Sequence, residues 1–335
     1  MSAANPVLVE VLRGGIVESR HRGAYAVVDG DGRLAAAAGD IERPVFPRSS
    51  MKILQAVPLV ESGAADRFAC TAAELALACA SHNGEEAHVA TAAGLLARLG
   101  LGEGDLACGA HAPSHGPAAK ALAARGEAPC RLHNNCSGKH AGFLTVARHL
   151  GAPVAGYEQR RHPVQQAVFE AVAGLAGQAA DLPYGIDGCA APNPALPLHG
   201  LALAMARIAA PAGLAPGRAA AVTRLRQAMA AHPFLVAGSG RACTRLMQAA
   251  RPGTVVKVGA EGVFIAIAPD PGLGFALKID DGGTRAAEVL IARLLDRFGL
   301  IRDDARATVA DLLTTPLANW GGTPVGEIRI APDWT

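Results

Sequence analysis

The chain has 335 residues, half of them hydrophobic, so it can bury a large core without disulfide or metal staples. Its 31 Lys and Arg nearly balance 29 Asp and Glu, and the formal charge of +2 argues against nucleic acid or an anionic membrane as a partner. The chain start lacks a secretory pattern, and seven unevenly spaced cysteines favour reduced thiols, so we expect a cytoplasmic protein with no membrane span.

The N-terminal part is predicted to form a β-meander followed by a helix. Residues 7–12, 24–29 and 33–38 are short runs of β-forming residues. The Gly-rich sequence 29–32 separates the last two runs and predicts a tight turn. A helix is expected around 50–61.

The middle of the chain shows helical periodicity and helix start signals. Thr71 and Glu74 have the spacing of a capping box, and Pro163 suits a first helical turn. The Pro- and Gly-rich stretches 183–200 and 211–217 are predicted loops. The predicted helices lie around 71–80, 85–99, 138–150, 163–176, 199–209 and 217–231.

A second meander is predicted near the C-terminus, with strands at 254–258, 262–268 and 274–279 and a helix over 285–298. Strands from both ends can pair into one sheet, which predicts an α/β fold: an antiparallel sheet of N- and C-terminal strands, covering helices and an inserted helical lobe. The predicted limits are a single catalytic domain over 1–335, with the α/β part at about 1–60 and 232–335 and the helical lobe at about 61–231.

The first candidate for chemistry is the pair Ser49 and Lys52, three residues apart at the start of the helix predicted for 50–61. At this spacing the two side chains share a helix face. A serine hydroxyl becomes a nucleophile when a neighbouring base takes its proton, and a lysine can do so when burial or another cation lowers its pKa. The plain alternative is a serine N-cap followed by a surface lysine.

Two further motifs follow in order, Ser81 to Glu85 and Lys257 to Gly259. Together with Ser-x-x-Lys they match the order of the serine, Ser-x-Asn and Lys-x-Gly elements of β-lactamase and penicillin-binding folds, although Val258 stands where Thr is usual. The alternatives are a helix C-terminal turn for the first motif and a solvated strand lysine for the second.

The segment 132–143 is unusually rich in polar and reactive groups for so apolar a chain: two imidazoles, two amides, a thiol, a hydroxyl and an amine. An unpaired polar group near the core costs about 1–3 kcal/mol, so such groups are retained where they are paired, ligated or used. The segment therefore predicts a functional site.

Cys136 and Cys189 would suit zinc if a third nitrogen or oxygen ligand joined them, leaving one position open. Lys139 is one candidate, although it would have to lose its proton; His133 or His140 would be more conventional ligands. Two buried free thiols are the alternative interpretation.

Taken together, the motifs resemble those of the class 3, rhizobial-type L-asparaginases, which belong to the serine β-lactamase and glutaminase fold group. The resemblance runs from about Pro6 to Ile279, and the last 35 or so residues carry none of its motifs. It is carried by Val9 to Gly15, Arg48 to Lys52, Ala80 to Glu85, His133 to Gly142, Asp187 to Cys189 with Pro192, and Lys257 to Gly262.

This resemblance implies a β-lactamase/glutaminase-like fold, a homodimer and a defined set of site residues. The implied catalytic groups are Ser49 with Lys52 and Ser81 with Lys257, flanked by Arg48, Asp187 and His140. The implied substrate-binding residues are Asn83, Gly84 and Glu261, and the implied zinc ligands are Cys136, Lys139 and Cys189.

The expected reaction is hydrolysis of L-asparagine to L-aspartate and ammonia, through attack by Ser49 and an acyl-enzyme. Zinc would hold the amino-acid end of the substrate. Three alternatives stay open: an L-glutaminase or other β-lactamase-like serine hydrolase, a metal-centred hydrolase with incidental serines, and a non-catalytic amino-acid-binding protein.

Overall fold

The structure is a computed structural model that describes residues 4–334, and it divides the chain into two units. The sheet unit comprises residues 4–50, 196–210 and 245–334, and the helical unit comprises residues 51–195 and 211–244. The helical unit therefore begins at residue 51 and ends at residue 244, where the sequence predicted limits near 61 and 231, and residues 196–210 within that range belong to the sheet unit. The single catalytic domain stays a prediction.

In chain order, the strands are β1 (Val7–Arg13), β2 (Ile16–Val28), β3 (Leu34–Ala38), β4 (Pro44–Val45), β5 (Tyr184–Ile186), β6 (Pro192–Pro194), β7 (Leu196–Pro197), β8 (Val255–Gly259), β9 (Val263–Ala268), β10 (Leu273–Ile279), β11 (Thr315–Ala318) and β12 (Pro324–Ile330). The helices are α1 (Lys52–Gln55), α2 (Val57–Glu61), α3 (Ala64–Arg67), α4 (Ala72–Ala78), α5 (Glu86–Arg98), α6 (Gly116–Ala124), α7 (Ser137–Leu150), α8 (Pro163–Ala176), α9 (Leu198–Ala209), α10 (Pro216–Ala231), α11 (Pro233–Ala237), α12 (Ala242–Ala249), α13 (Thr284–Arg297) and α14 (Ala310–Leu313). Short 3₁₀ helices lie at Arg48–Met51, Glu103–Asp105, Arg131–His133, Pro211–Gly213 and Asp303–Val309.

The sheet unit is built on an antiparallel sheet in the order β11-β12-β1-β2-β10-β9-β8, with β3 also paired to β2. The central pairing joins the two ends of the chain, because Tyr25 of β2 lies opposite Leu277 of β10. The predicted α/β fold with one antiparallel sheet of N- and C-terminal strands is thereby confirmed. The outer strands β11 and β12 were not predicted from the sequence.

Helices cover both faces of this sheet. Gly274 of β10 faces α9 so closely that an added Cβ would lie 2.1 Å from the backbone nitrogen of Ala206. The next residue, Phe275, makes an edge-to-face contact with Phe298 at the end of α13. Helix α13 covers the sheet, as predicted for the C-terminal helix. The helix predicted at 199–209 was assigned to the helical lobe, and that assignment is wrong, because α9 covers the opposite face of the sheet.

Several local predictions are confirmed and others are wrong. Thr71 and Glu74 form a capping box, and Pro163 opens α8. The helix predicted over 50–61 is divided into a 3₁₀ turn, α1 and α2. The stretch 183–200 is not all loop, because β5 and β6 form a short hairpin there and α9 begins at Leu198.

The helical unit buries the first three turns of α7 almost completely, from Ser137 to Ala147. This helix packs against α4 at Gly138, where an added Cβ would lie 2.3 Å from the carbonyl oxygen of Leu77. The close approach fixes the beginning of α7 beside the chain that leaves α4. Among residues 4–334, no helix is both long enough and apolar enough to cross a bilayer.

Candidate active site

Ser49 and Arg48 lie in the sheet unit, on the 3₁₀ turn that leads directly into α1. Arg48 has a φ of 52°, a left-handed conformation that a non-glycine residue adopts at an energetic cost of about 1–3 kcal/mol. Ser50, which follows Ser49, is buried, and its hydroxyl donates a hydrogen bond to the carbonyl oxygen of Pro47 at 2.8 Å. Gly259 permits close packing of β8 on this turn, since an added Cβ would lie 2.5 Å from the same carbonyl.

Lys257 also belongs to the sheet unit, where it lies on β8 and is fully buried. Its Nζ donates to the carbonyl oxygen of Val258 at 2.8 Å. Glu261 lies in the turn between β8 and β9, is exposed and has a φ of 61°. The solvated strand lysine considered as the alternative for Lys257 is therefore wrong.

Lys52 is the second residue of the helical unit, and its side chain is fully buried. Its Nζ lies 2.5 Å from the carbonyl oxygen of Ala80, 3.0 Å from the hydroxyl of Ser81 and 3.3 Å from the carbonyl oxygen of Asn135. The surface lysine of the plain alternative is wrong for this position too. The resemblance implied Lys52 with Ser49 as a pair, and the structure adds this direct bond to Ser81.

The three contacts suit either protonation state of the amine. An ammonium would donate to the two carbonyls and to the Ser81 hydroxyl. A neutral amine would donate to the two carbonyls and present its lone pair to the hydroxyl proton of Ser81. In both states the contact joins the Lys52 amine directly to the Ser81 hydroxyl.

The predicted zinc ligands come together within the helical unit. Cys136 caps the N-terminus of α7, Lys139 lies in its first turn, and Cys189 lies in the turn between β5 and β6. Lys139 Nζ is 2.9 Å from the sulfur of Cys189, and the sulfur of Cys136 adjoins that of Cys189 and lies 3.0 Å from Oδ1 of Asn135. All three side chains are at most 4% exposed. The residue before Cys136 is Asn135, whose carbonyl oxygen accepts a hydrogen bond from Lys52 Nζ. The Lys52 amine therefore lies next to the cysteine cluster.

The charge distribution in this cluster follows from these contacts. The hydrogen bond from Cys136, together with the positive charge of Lys139, outweighs burial and holds the pKa of the Cys189 thiol far below its usual value. The same bond and burial raise the pKa of Cys136. Burial acts to lower the pKa of Lys139, but attraction to Cys189 raises it. Without a metal, the cluster is thus a thiolate paired with an ammonium.

His140 is buried beside this cluster and is oriented by a residue that the motifs did not include. The hydroxyl of Tyr157 accepts the backbone N–H of Ala107 at 2.8 Å and lies 2.6 Å from Nδ1 of His140. Burial raises the pKa of Tyr157 and lowers that of His140, so the tyrosine donates and the neutral imidazole carries its proton on Nε2. That Nε2 meets no acceptor in good geometry within residues 4–334, although Cys189 is in electrostatic range.

Asp187, Gly84 and Asn83 complete the predicted residues of the helical unit. Asp187 begins the turn that carries Cys189, and its charge acts on Lys139. Gly84 has a φ of 73°, and an added Cβ would lie 2.9 Å from the carbonyl oxygen of His133. The Asn83 side chain contacts protein groups through both its oxygen and its nitrogen.

Backbone strain marks three positions at these motifs. Among residues 4–334, the non-glycine residues with positive φ are Arg48, Ala69, Ala190 and Glu261. Two of them are predicted site residues, and Ala190 follows Cys189 directly. Strained backbone persists where surrounding contacts hold it, and it is enriched at active sites and ligand clamps.

The two units thus hold separate parts of the predicted set. The helical unit joins Lys52 to Ser81 and groups the two cysteines, Lys139 and His140. The sheet unit holds Arg48, Ser49, Lys257 and Glu261. The motifs missed Tyr157, although it is one of only three tyrosines in the chain, and Cys108, a buried thiol near Cys189 that no spacing rule connected to the cluster.

The cluster fits a zinc ion by its donors. Two sulfurs and one amine nitrogen are buried in mutual contact, which is a set that zinc accepts with a fourth position left open. Among residues 4–334, no three His, Cys, Asp or Glu side chains group as a metal site, so zinc binding here would depend on Lys139. His140 is a poor substitute because Tyr157 keeps the proton on Nε2, and His133 is bonded to Cys130 instead.

Comparison with known proteins gives one extensive match. The family model for L-asparaginase II matches residues 9–330. No curated protein matches the chain.

Three solved structures are similar at low identity. A β-lactamase from Mycobacterium bovis is 17% identical over 83% of this chain and 95% of its own, with a TM-score of 0.41. A simvastatin synthase mutant from Aspergillus terreus is 13% identical over 82% and 91%, with a TM-score of 0.38. A D-alanine carboxypeptidase AmpC from Burkholderia cenocepacia is 11% identical over 81% and 93%, with a TM-score of 0.38.

The family match indicates the class of reaction. It spans all the candidate motifs, from β1 to β12, and it implies an amidohydrolase that acts on a small molecule. The chain belongs to the L-asparaginase II family.

Proposed function

We propose that the protein hydrolyses the side-chain amide of L-asparagine to L-aspartate and ammonia, with Ser49 as the nucleophile. The observation that carries this proposal is the buried amine of Lys52, 3.0 Å from the hydroxyl of Ser81. Burying a lysine amine costs folding free energy, and a non-catalytic binding protein would gain nothing from a buried amine bonded to a serine hydroxyl. An enzyme can use the same pair for proton transfer. The family match supplies the reaction class.

In the first half-reaction, Ser49 Oγ forms a bond to the amide carbon while its proton passes to Lys52. The carbon–nitrogen bond then breaks, and the nitrogen leaves as ammonia after receiving that proton. The product is an ester between Ser49 and the β-carboxyl group of aspartate. In the second half-reaction, water attacks the ester carbon and passes a proton to Lys52. The bond from that carbon to Ser49 Oγ then breaks, Ser49 takes up the proton, and aspartate is released.

Three further side chains would assist these steps. Ser81 can relay the proton, because its hydroxyl is bonded to Lys52. Lys257 and Arg48 are the cations that we propose offset the negative charge on the tetrahedral oxygen. Such charge stabilisation is worth most where water is excluded, and Lys257 is fully buried.

We also propose that Cys136, Lys139 and Cys189 hold zinc. The metal would supply a Lewis-acidic contact for the amino-acid end of the substrate. For this, Lys139 must give up the proton that now lies between its nitrogen and the Cys189 thiolate. His140 presents an N–H to the same region, which suits an acceptor oxygen of the substrate.

The test is ammonia release by the purified protein from L-asparagine and L-glutamine, with a chromogenic β-lactam as a third substrate and the zinc content measured on the same sample. We expect a kcat/KM for asparagine at least about tenfold above that for glutamine, because one extra methylene is worth about 1–3 kcal/mol of discrimination. Turnover of glutamine or the β-lactam alone would favour the corresponding alternative hydrolase. No turnover of any substrate would favour a binding protein.

A further inference from the structure

The loop Ser81–Glu85 is tied to one other loop by several hydrogen bonds. We call that partner the clamp loop; it comprises residues 236–241, from the end of α11 to the residue before α12. The backbone N–H of Ser81 donates to the carbonyl oxygen of Val236 at 3.0 Å. Asn83 and Glu85 make further bonds to the clamp loop through their side chains. Neither the motifs nor the family assignment gives the clamp loop a role.

The amide of Asn83 has no hydrogen-bonding capacity left for a substrate. Its Oδ1 accepts from Arg241 Nη1 at 3.0 Å and from the Ser114 hydroxyl at 3.1 Å. Its Nδ2 donates to the carbonyl oxygen of Ser239 at 3.1 Å and lies 3.4 Å from Oε1 of Glu85. A primary amide offers two acceptor and two donor positions, and all four are occupied.

Glu85 fastens the other end of the loop. Its carboxylate accepts the backbone N–H of Ser239 at 2.8 Å and the hydroxyl of the same residue at 2.7 Å. Nδ1 of His115 lies 3.5 Å from Oε2 of the same carboxylate. Charge-assisted bonds of this kind are about twice as strong as neutral ones, so the loop end is held firmly.

Gly238 shows how tightly the two loops fit. Its φ of 114° is in the region that favours glycine, and an added Cβ would lie 2.6 Å from both Nδ2 of Asn83 and Oε1 of Glu85. The carbonyl oxygen of Gly238 accepts the hydroxyl of Thr244 at 2.7 Å, which anchors the clamp loop to α12. No side chain at position 238 is compatible with the observed contact.

We propose that Arg241 and Asn83 are positioning residues that hold the Ser81 hydroxyl against Lys52, and that Asn83 does not contact the substrate. The inference rests on the proposed function, because it matters for catalysis only if Ser81 and Lys52 exchange a proton. Four fixed points, at the backbone of Ser81, the Asn83 amide, the Glu85 carboxylate and Gly238, leave the loop little freedom. Releasing one of them would let the hydroxyl move away from the amine.

The test compares steady-state kinetics of Arg241→Ala, Arg241→Lys, Asn83→Ala and the Arg241→Ala/Asn83→Ala double variant. We expect Arg241→Ala to lower kcat at least about tenfold with little change in KM, because the interaction affects proton transfer and not substrate binding. Arg241→Lys should recover part of the loss. The double variant should be no worse than Asn83→Ala, since the two residues act through one bond.

The control is Arg218→Ala, which removes an arginine of the same unit that is ion-paired to Glu61 at 2.7 Å away from the loop. It should leave kcat unchanged. Hydrogen exchange of the peptide containing Ser81 to Glu85 gives a readout independent of turnover, and it should accelerate in Arg241→Ala but not in the control.

Two results would overturn the positioning role. One is a normal kcat in a folded Arg241→Ala enzyme, and the other is a rise in KM alone for Asn83→Ala, which would make Asn83 a substrate contact. If the wild-type enzyme hydrolyses asparagine, either result rejects only the positioning role of Arg241 and Asn83. An inactive wild-type enzyme would instead reject the proposed function.

Discussion

The two buried lysines of the helical unit are distinguished by their nearest partners. Lys52 meets two carbonyl oxygens and a hydroxyl, none of which carries a formal charge. Lys139 meets the thiolate of Cys189, which fixes its positive charge unless a metal replaces the proton. The sequence predicted both lysines from their spacing to Ser49 and Cys136. It did not predict the bond from Lys52 to Ser81, because backbone carbonyls and distant hydroxyls leave no trace in a local pattern.

The zinc proposal predicts the effect of replacing Cys136 or Cys189 by serine. Each variant should lose most of its bound zinc and raise the KM for asparagine at least about tenfold with a smaller change in kcat, because the metal holds the substrate end. The matched control is Cys70→Ser, a buried thiol elsewhere in the same unit, which should keep its zinc. Full zinc occupancy in the Cys189 variant would refute the ligand set.

Glu85 makes stability depend on pH in a definite direction. Partial burial acts to raise its pKa, but the hydrogen bonds from Ser239 and the nearby His115 and His88 lower it below the usual 4.5. The ionised group therefore stabilises the folded state above the unfolded-state pKa, and this contribution is lost as pH falls through the folded-state pKa. The difference in unfolding free energy between wild type and Glu85→Gln should be greatest near pH 7 and shrink below pH 4.5. Urea unfolding at several pH values checks this, and a constant difference would contradict it.

At the scale of elements, the close packing of α7 on α4 determines where the Cys136–Lys139 turn lies. Gly138 permits this approach, and its neighbour across the contact is the backbone of Leu77. We expect Gly138→Ala to destabilise the protein by about 1–3 kcal/mol through overpacking.

The control for this prediction is Gly94→Ala in α5, where nothing lies within 4 Å of the added Cβ. That change should be neutral or stabilising by up to about 1 kcal/mol, because alanine favours helix. Denaturant unfolding compares the two variants. Equal effects at both positions would show that the contact with Leu77 is unimportant.

The elements that the sequence missed have identifiable causes. Pro58 has no backbone N–H and cannot continue a helix, so the span predicted at 50–61 divides at Ala56. The hairpin of β5 and β6 has three residues in each strand, too few for an alternating pattern to appear. Helix α9 was predicted correctly as a helix. Its apolar residues show only that one face is buried, because a sheet and a neighbouring helix both pack against an apolar face.

At the scale of the whole molecule, the sheet joins strands from both ends of the chain. Pairing of the N- and C-terminal meanders could be predicted because each has unpaired edges and neither is stable alone. Strand β12 extends that sheet on the far side of β1, and its sequence, with Pro324 and Gly326, shows no clear strand pattern. The boundary between the two units falls between Ser49 and Lys52, which belong to the sheet unit and the helical unit respectively.

The most direct test of the central claim is ammonia release from L-asparagine by Ser49→Ala, measured beside Ser50→Ala. Ser50 is the matched control because it is the adjacent serine of the same turn and its hydroxyl is occupied by Pro47. We expect a loss of kcat of at least about a thousandfold for Ser49→Ala in a folded protein, and near-normal kcat for Ser50→Ala. Near-normal turnover by Ser49→Ala would contradict the nucleophile assignment.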